Sequence, residues 1–229
     1  MVGVGRPSEA ELGTLHEDIW HAIATRAAEH RLGPLLHKRF AGVEAVPEKI
    51  GDEWRAAHRA AALTALAQRR DLIALTHALA EEGIDALALK GAWLAWNAYG
   101  EPAERPMRDI DILVPARRAG GAWTVAKRLG YRRAEGGADD PQDWELRFKH
   151  LPPLISPQGT WCEIHTRLWE EDARYPPHPE ALFTRTVVDR EHPQLRYLPC
   201  EDLMMHLAVH AVVAHRFDGG PLLLIDFSR

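Results

Sequence analysis

The sequence contains little cysteine, no long hydrophobic run and no excess of positive charge. Its 229 residues include two cysteines, Cys162 and Cys200, which predicts neither a disulfide framework nor a zinc cluster. No apolar stretch approaches the ~18 residues that span a membrane. The first residues, MVGVGRPSEAELG, also lack the basic-then-apolar pattern of a signal peptide. We therefore expect a cytoplasmic protein with no membrane partner.

The charge balance restricts the partners. There are 33 acidic residues against 28 basic ones, which gives a net charge of −5. A general nucleic-acid surface is therefore not expected. Hydrophobic residues make up 46% of the chain, enough for a core. The abundance of alanine and arginine indicates a GC-rich, bacterial coding source.

Periodicity divides the chain into three predicted regions. Residues 1–84 form an N-terminal helical region, which begins at Ser8 with the capping-box partner Glu11 three residues later. Residues 85–175 contain short apolar strands and form the core. Residues 176–229 form a C-terminal helical region. A long helix is predicted over residues 52–82, and its apolar side is assigned to Trp54, Leu63, Leu66, Ile73 and Leu79.

The predicted core begins with two strands. Residues 85–90 are short and apolar, as a buried strand would be, and are followed by Gly91 and a helix over residues 92–99. The second strand, residues 109–114, places Asp109 and Asp111 on one face. Two neighbouring carboxylates repel each other and resist burial, so this pair predicts a bound cation.

A hairpin completes the predicted core. The polar stretch AEGGADDPQD, residues 134–143, is a predicted loop. Residues 144–155 and 160–168 alternate as strands do and are joined by the turn sequence Ser-Pro-Gln-Gly. In the second of these strands Glu163 and His165 share a face.

An Asp-x-Asp pair alone fits several chemistries. A haloacid-dehalogenase-type phosphatase has its apolar strand before the pair, whereas here the apolar residues follow it. An EF-hand loop requires an oxygen ligand and a glycine where this chain has Leu113 and Val114. A glycosyltransferase motif and a pair of solvated aspartates at a strand entry stay open at this point.

The order of the motifs along the chain favours one of the chemistries that an Asp-x-Asp pair can support. The chain resembles the DNA-polymerase-β-like nucleotidyltransferase superfamily, and within it the uncharacterised nucleotidyltransferase family with LKG, R, DIDxLV and ExH motifs. The matching stretches are LALKG (87–91), ERPMRDIDILV (104–114), WCEIHTRL (161–168) and, more loosely, LMMHLAVHAVVAH (203–215). This resemblance implies a mixed α/β (α+β) fold, with a small mixed nucleotidyltransferase sheet flanked by helices.

The resemblance also implies the roles of the acidic residues. Asp109 and Asp111 would ligate two Mg²⁺ ions about 4 Å apart, which neutralise a nucleotide triphosphate and align the acceptor hydroxyl. Glu163 would complete the metal site or take the acceptor's proton. His165 would orient the base or touch the acceptor, or else act structurally.

Residues flanking these acids are candidates for nucleotide contact. Gly91 would let the backbone approach the phosphates, although Ala92 replaces the serine that is frequent in the superfamily. Lys90 would either lie at the rim of the sheet or pair with the triphosphate. Arg105 and Arg108 would either hold the aspartates by salt bridges or contact phosphate.

The remaining histidines and tryptophans are interpreted structurally. His206 and His210 have a metal-ligand spacing without an evident third ligand, so a hydrogen-bonded histidine in the C-terminal helix is predicted instead. Trp93 and Trp96 are predicted to pack the helix that follows Gly91.

Two functions from different classes follow. The first is a Mg²⁺-dependent nucleotidyltransferase that moves an NMP, with ATP or another NTP as donor, to an unidentified hydroxyl acceptor. A small-molecule acceptor is favoured over protein or RNA, and the acidic net charge disfavours a large RNA. The alternative is an inactive module on the same fold that binds a nucleotide or a partner. Three available carboxylates favour the enzyme.

Overall fold

A computed structural model describes residues 7–134, 148–169, 179–214 and 220–229. The predicted loop over 134–143 and the first part of the predicted strand over 144–155 lie largely outside these ranges. The described residues group into two compact units. The first comprises residues up to 65, 94–106 and the last residues from 220, and the second comprises 66–93 and 107–214 as far as they are described. The three-region division predicted from sequence stays a prediction.

The helices begin and end close to the predicted signals. Ser8 and Glu11 form the expected capping box at the start of the first helix. Gly130, with φ +85°, follows a helix that ends at Arg128. In chain order the helices are α1 (Glu9–Gly13), α2 (Glu17–Glu29), α3 (Gly33–Arg39), α4 (Glu48–Glu81), α5 (Gly91–Asn97), α6 (Ala119–Arg128), α7 (Pro179–Leu182), α8 (Cys200–Val209) and α9 (Pro221–Asp226). A π-helical segment, His210–Ala214, directly continues α8. No helix of the described residues is both long and apolar enough to cross a membrane.

The second unit contains a mixed sheet, which confirms the predicted fold class. Its seven strands within the described ranges are β1 (Leu87–Ala88), β2 (Asp109–Leu113), β3 (Arg132–Arg133), β4 (Leu154–Ile155), β5 (Trp161–His165), β6 (Val187–Val188) and β7 (Arg196–Tyr197). They are ordered β3-β4-β5-β2-β1-β7-β6. The β2–β5 and β1–β7 pairs are parallel, and the other neighbouring pairs are antiparallel.

The core of the second unit lies between this sheet and its helices. Ile110, Ile112 and Ile164 on the central strands are fully buried, as are Leu75 and Leu79 on α4. Burial of each such side chain contributes about 1.5–3 kcal/mol. The central strands are therefore firmly fixed, and they carry the candidate site.

The predicted apolar side of α4 was partly wrong. Leu63 and Leu66 are 70% and 58% exposed, whereas Leu72, Leu75 and Leu79 are buried. At roughly 100° per residue, Leu63 lies on the opposite side of the helix from Leu72. The buried residues Leu72, Leu75 and Leu79 are three and four positions apart, and Leu63 does not lie on the helix face that they define.

The predicted hairpin is present but shorter than expected. β4 pairs antiparallel with β5 through Leu154 and Cys162, and Gly159 turns with φ +92°. Within the described part of 144–155, only Leu154–Ile155 is a strand, and His150 makes an isolated bridge to His165. Both cysteines are free thiols, so no disulfide contributes.

Candidate active site

The parallel pairing of β2 with β5 brings the predicted acids together. Asp111 is the register partner of Glu163, and Leu113 is the partner of His165. Since side chains alternate along a strand, Asp109 and Asp111 share the face that carries Glu163 and His165. Residues more than fifty positions apart in sequence thus form one cluster on the central strands.

Asp111 is the most tightly held of the four. Its side chain is buried, and its two oxygens have different partners. Lys90 Nζ lies 3.1 Å from Oδ2, and His165 Nε2 lies 2.9 Å from Oδ1. Burial opposes ionisation, but the charges and hydrogen bonds of Lys90 and His165 outweigh it, so the pKa of Asp111 is well below its usual range. Asp111 is a carboxylate at neutral pH.

His165 links the two strands chemically. Its ring is only 1% exposed. Besides Asp111, its Nε2 lies 3.3 Å from Glu163 Oε2. Burial lowers the pKa of His165, but bonds to both carboxylates more than compensate and raise it. Its Nδ1 is buried and has no hydrogen-bond partner among the described residues.

Glu163 is more accessible than Asp111. Its side chain is 23% exposed against 8% for Asp111. Burial raises its pKa, but the hydrogen bond from His165 and the nearby imidazole of His150 bring the pKa below the ordinary value. His150 Nε2 lies 3.8 Å from Glu163 Oε2, and its ring centroid is 5.2 Å from that of His165. Sequence analysis missed His150, because nothing in its local pattern marks it as a neighbour of Glu163.

Asp109 carries charge that the site does not neutralise. Burial, followed by repulsion from Asp111 and Glu163, raises its pKa to about 6. Lys90 and His165 oppose this shift only in part. The protein alone thus supplies too little positive charge for all three carboxylates, which is the electrostatic condition of a cation site.

The residues present fit a divalent metal. Asp111, Glu163 and His165 each offer one ligand atom, and these atoms all lie within 4.8 Å of one another. Among the described residues Asp109 is not a member of that set, although the charges of all three members shift its pKa. Carboxylate oxygens suit Mg²⁺, and an added imidazole nitrogen also suits Mn²⁺.

The residues predicted to contact the nucleotide differ in their exposure and in their partners. Lys90 pairs with Asp111, and Gly91 is the first residue of α5. Arg108 is exposed and is still a candidate for phosphate contact. Arg105 already has a carboxylate partner that the sequence did not indicate, because its Nε and Nη2 lie 2.8 and 2.9 Å from the two oxygens of buried Asp226. The predicted salt bridge from Arg105 to the strand aspartates is therefore replaced by one to Asp226.

The interpretation of the C-terminal histidines also needs correction. His206 is buried, but its Nδ1 has no hydrogen-bond partner in the described part of the chain. Its ring instead lies edge-on to Trp169 and His210, at centroid distances of 5.3 and 6.1 Å. Burial, followed by the charges of Lys90 and His165, holds its pKa well below the ordinary value. His206 is thus a neutral ring in an aromatic cluster. Trp93 packs against the core of the second unit, as predicted.

Clustered carboxylates can hold the divalent ions that phosphatases, polymerases and nucleases use in catalysis. Residues 16–229 match the family described as "Uncharacterised nucleotidyltransferase". The chain belongs to that family and is therefore a transferase enzyme.

Other comparisons gave only distant likenesses. Two solved chains of the antibiotic-resistance factor ANT(2'')-Ia were found. The solution structure is 18% identical, covers 69% of this chain and 80% of its own, and has a TM-score of 0.47. The crystal structure in complex with adenylyl-2''-tobramycin is 17% identical, covers 67% and 85%, and has a TM-score of 0.41. The curated proteins gave no match.

Proposed function

We propose that the protein transfers AMP from ATP to a hydroxyl group of a small molecule. The observation that carries this proposal is the cluster of Asp111, Glu163 and His165, whose ligand atoms lie within 4.8 Å of one another in a chain of the nucleotidyltransferase family. The net charge of −5 favours a small acceptor over a polyanion such as RNA.

Divalent magnesium is the proposed cofactor. Asp111, Glu163 and the nearby Asp109 would hold it, with His165 as a further ligand or as a support for the two carboxylates. When bound, Mg²⁺ would neutralise negative charge on the triphosphate and align the acceptor hydroxyl. The unneutralised charge on Asp109 supports this assignment, because its pKa of about 6 reflects burial and two adjacent carboxylates.

Glu163 is proposed to receive the proton of the acceptor hydroxyl. It is the more accessible carboxylate of the register pair, and its lowered pKa keeps it ionised at neutral pH, which is the state that can accept a proton. His165 holds Glu163 and Asp111 in place through a single ring nitrogen. Lys90, Gly91 and Arg108 are the proposed contacts of the phosphates.

Incubation of the protein with Mg²⁺, ATP and a panel of hydroxyl-bearing small molecules tests this proposal. The readouts are pyrophosphate release and the intact mass of each acceptor. We expect release that depends on an acceptor and is lost in Asp111→Asn, while Asp52→Asn, on an exposed surface position, retains it. Nucleotide binding without pyrophosphate release for any acceptor, protein and RNA included, would instead identify a binding module.

A further inference from the structure

Lys90 holds an unusual position beside the candidate metal site. Among the described residues, only Lys90 and Arg31 have positive φ without being glycine, and φ of Lys90 is +42°. Such a backbone is strained for a residue with a Cβ, and strain of this kind concentrates at functional sites. The strain occurs where the chain leaves β1 and enters α5.

The surroundings fix the lysine against Asp111. The N–H of Leu89 donates to the carbonyl of Asp111 at 2.9 Å, which anchors the end of β1 to β2. The side chain of Lys90 is 14% exposed, and its Nζ lies 3.1 Å from Asp111 Oδ2. A mostly buried ammonium therefore lies against the carboxylate that the proposed function assigns to the metal.

This arrangement places two cations in competition. With His165 Nε2 on Oδ1 and Lys90 Nζ on Oδ2, each oxygen of Asp111 already has a nitrogen partner. A divalent ion that approaches Asp111 must share the carboxylate with an adjacent positive charge or displace it. Either event weakens binding of the ion alone, since like charges at such distances repel strongly in a partly buried site.

A nucleotide triphosphate changes that balance. Its phosphates are a second anionic partner for the ammonium, and a lysine beside a phosphate site can bind there as a point charge. Transfer of Lys90 from Asp111 to a phosphate frees one carboxylate oxygen for the metal. The same residue would thus oppose the metal without nucleotide and support it when nucleotide is present.

We propose that Lys90 is the resident counter-cation of Asp111 and couples metal binding to nucleotide binding. The metal binds weakly by itself and binds tightly only together with the triphosphate. This inference rests on the proposed function for its nucleotide partner. It rests on the same proposal for the metal at Asp111, and on the Lys90–Asp111 contact for the competition with that metal.

Calorimetry with Mn²⁺ as the probe, with and without a non-hydrolysable ATP analogue, tests the proposal. Lys90→Met removes the charge and keeps the length of the side chain. We expect Mn²⁺ alone to bind about tenfold or more tightly to this variant than to the wild type, because an adjacent positive charge is gone. The analogue should bind more weakly, and the mutual enhancement of the two ligands should fall. A merely destabilised variant would lose both affinities together.

Matched variants make the result decisive. Lys90→Arg keeps the charge and should retain weak binding of Mn²⁺ alone. Lys38→Met removes a lysine paired with Glu101 in the first unit and should change neither affinity. If Lys90→Met does not fold, as judged by its thermal unfolding, Lys90→Gln serves in its place. Unchanged or weaker binding of Mn²⁺ alone in folded Lys90→Met, or in Lys90→Gln where it takes its place, overturns the proposal.

A further variant separates this inference from the proposed function. Asp111→Asn should abolish the tight binding of Mn²⁺ in the presence of the ATP analogue if the cluster is the metal site. If Asp111→Asn loses Mn²⁺ binding but Lys90→Met does not bind Mn²⁺ more tightly, the role of Lys90 is refuted and the enzyme proposal stands. If Lys90→Met binds Mn²⁺ more tightly but neither the variant nor the wild type binds the analogue, competition between Lys90 and the metal is confirmed. The same result refutes both the coupling to nucleotide and the nucleotide site.

Discussion

Asp111 on β2 and Glu163 on β5 are direct register partners in a parallel strand pair. Their carboxylates converge on one imidazole nitrogen, His165 Nε2, at 2.9 and 3.3 Å. Since the register of a buried strand pair is fixed by its apolar faces, the distance between these acids is set by the fold rather than by flexible side chains. The paired strands therefore fix the backbone positions of both acids.

The charge on Asp109 should cost stability in the absence of metal. Its pKa of about 6 in the folded chain exceeds the ordinary 3.8. The resulting loss in the free energy of unfolding is absent below pH 3.8, grows as the pH rises from 3.8 to about 6, and stays constant above pH 6. Asp109→Asn should thus stabilise the metal-free protein at pH 8 by on the order of 2 kcal/mol and have little effect near pH 4. Urea unfolding at both pH values measures this, and a less stable variant at pH 8 would contradict the assignment.

The paired aspartates should control nucleotide binding through metal. ATP should bind only with a divalent ion, and the double variant Asp109→Asn with Asp111→Asn should lose most of that affinity. The reason is that two carboxylates on the same strand face become neutral amides, which are poor ligands for Mg²⁺. Calorimetry against Asp52→Asn as a control decides this, and equal affinities would exclude the metal site.

Asp226 should be a structural residue of the first unit. Its side chain is 1% exposed and accepts bonds from Arg105 and from the Tyr99 hydroxyl, the latter at 2.7 Å. Asp226→Asn should lower the free energy of unfolding by about 3 kcal/mol, because the partly buried guanidinium of Arg105 loses its counter-charge. The exposed pair of Asp52 and Arg55 is the matched comparison, and its removal should cost at most about 1 kcal/mol. Equal effects in chemical denaturation would show that the buried pair has no special role.

His165 should support the acids rather than react itself. His165→Ala removes the link between Asp111 and Glu163 but keeps both carboxylates, so transfer should fall less than in Glu163→Gln. We expect the loss mainly in kcat, with His77→Ala on an exposed face as the control. A loss as large as that of Glu163→Gln would indicate that the imidazole touches the reacting atoms.

The sequence predicted the central part of the site because strand alternation is a local property. Ile110, Ile112 and the intervening Asp111 show a period of two, so the face of each acid could be read directly. The convergence of Glu163 was inferred through the family resemblance, not from the pattern of its own strand. Long-range side-chain pairs could not be predicted in the same way. Nothing local indicates that Lys90 pairs with Asp111 or that His150 lies beside Glu163.

Two other differences have separate origins. Arg105 was predicted either to pair with the nearby aspartates or to contact phosphate, because of its position in the sequence, but Asp226, 121 residues away, is its partner. Leu63 and Leu66 were placed on the buried side of α4 because they are apolar, although the helical period points them to solvent. Composition predicts which residues can be buried, and only tertiary packing decides which ones are.

Glu163→Gln gives the most direct test of the central claim, that this cluster transfers a nucleotidyl group. The variant keeps the shape of the side chain and removes the carboxylate that is proposed to receive the acceptor's proton. Proton acceptance matters near the transition state and not for nucleotide binding, so its loss should appear in rate rather than affinity. Pyrophosphate release should fall by roughly 10²-fold or more, while Mg²⁺–ATP affinity, measured by calorimetry on the same sample, should stay within about threefold. A variant that transfers as fast as the wild type would contradict the account, because the third acid would then have no part in the reaction.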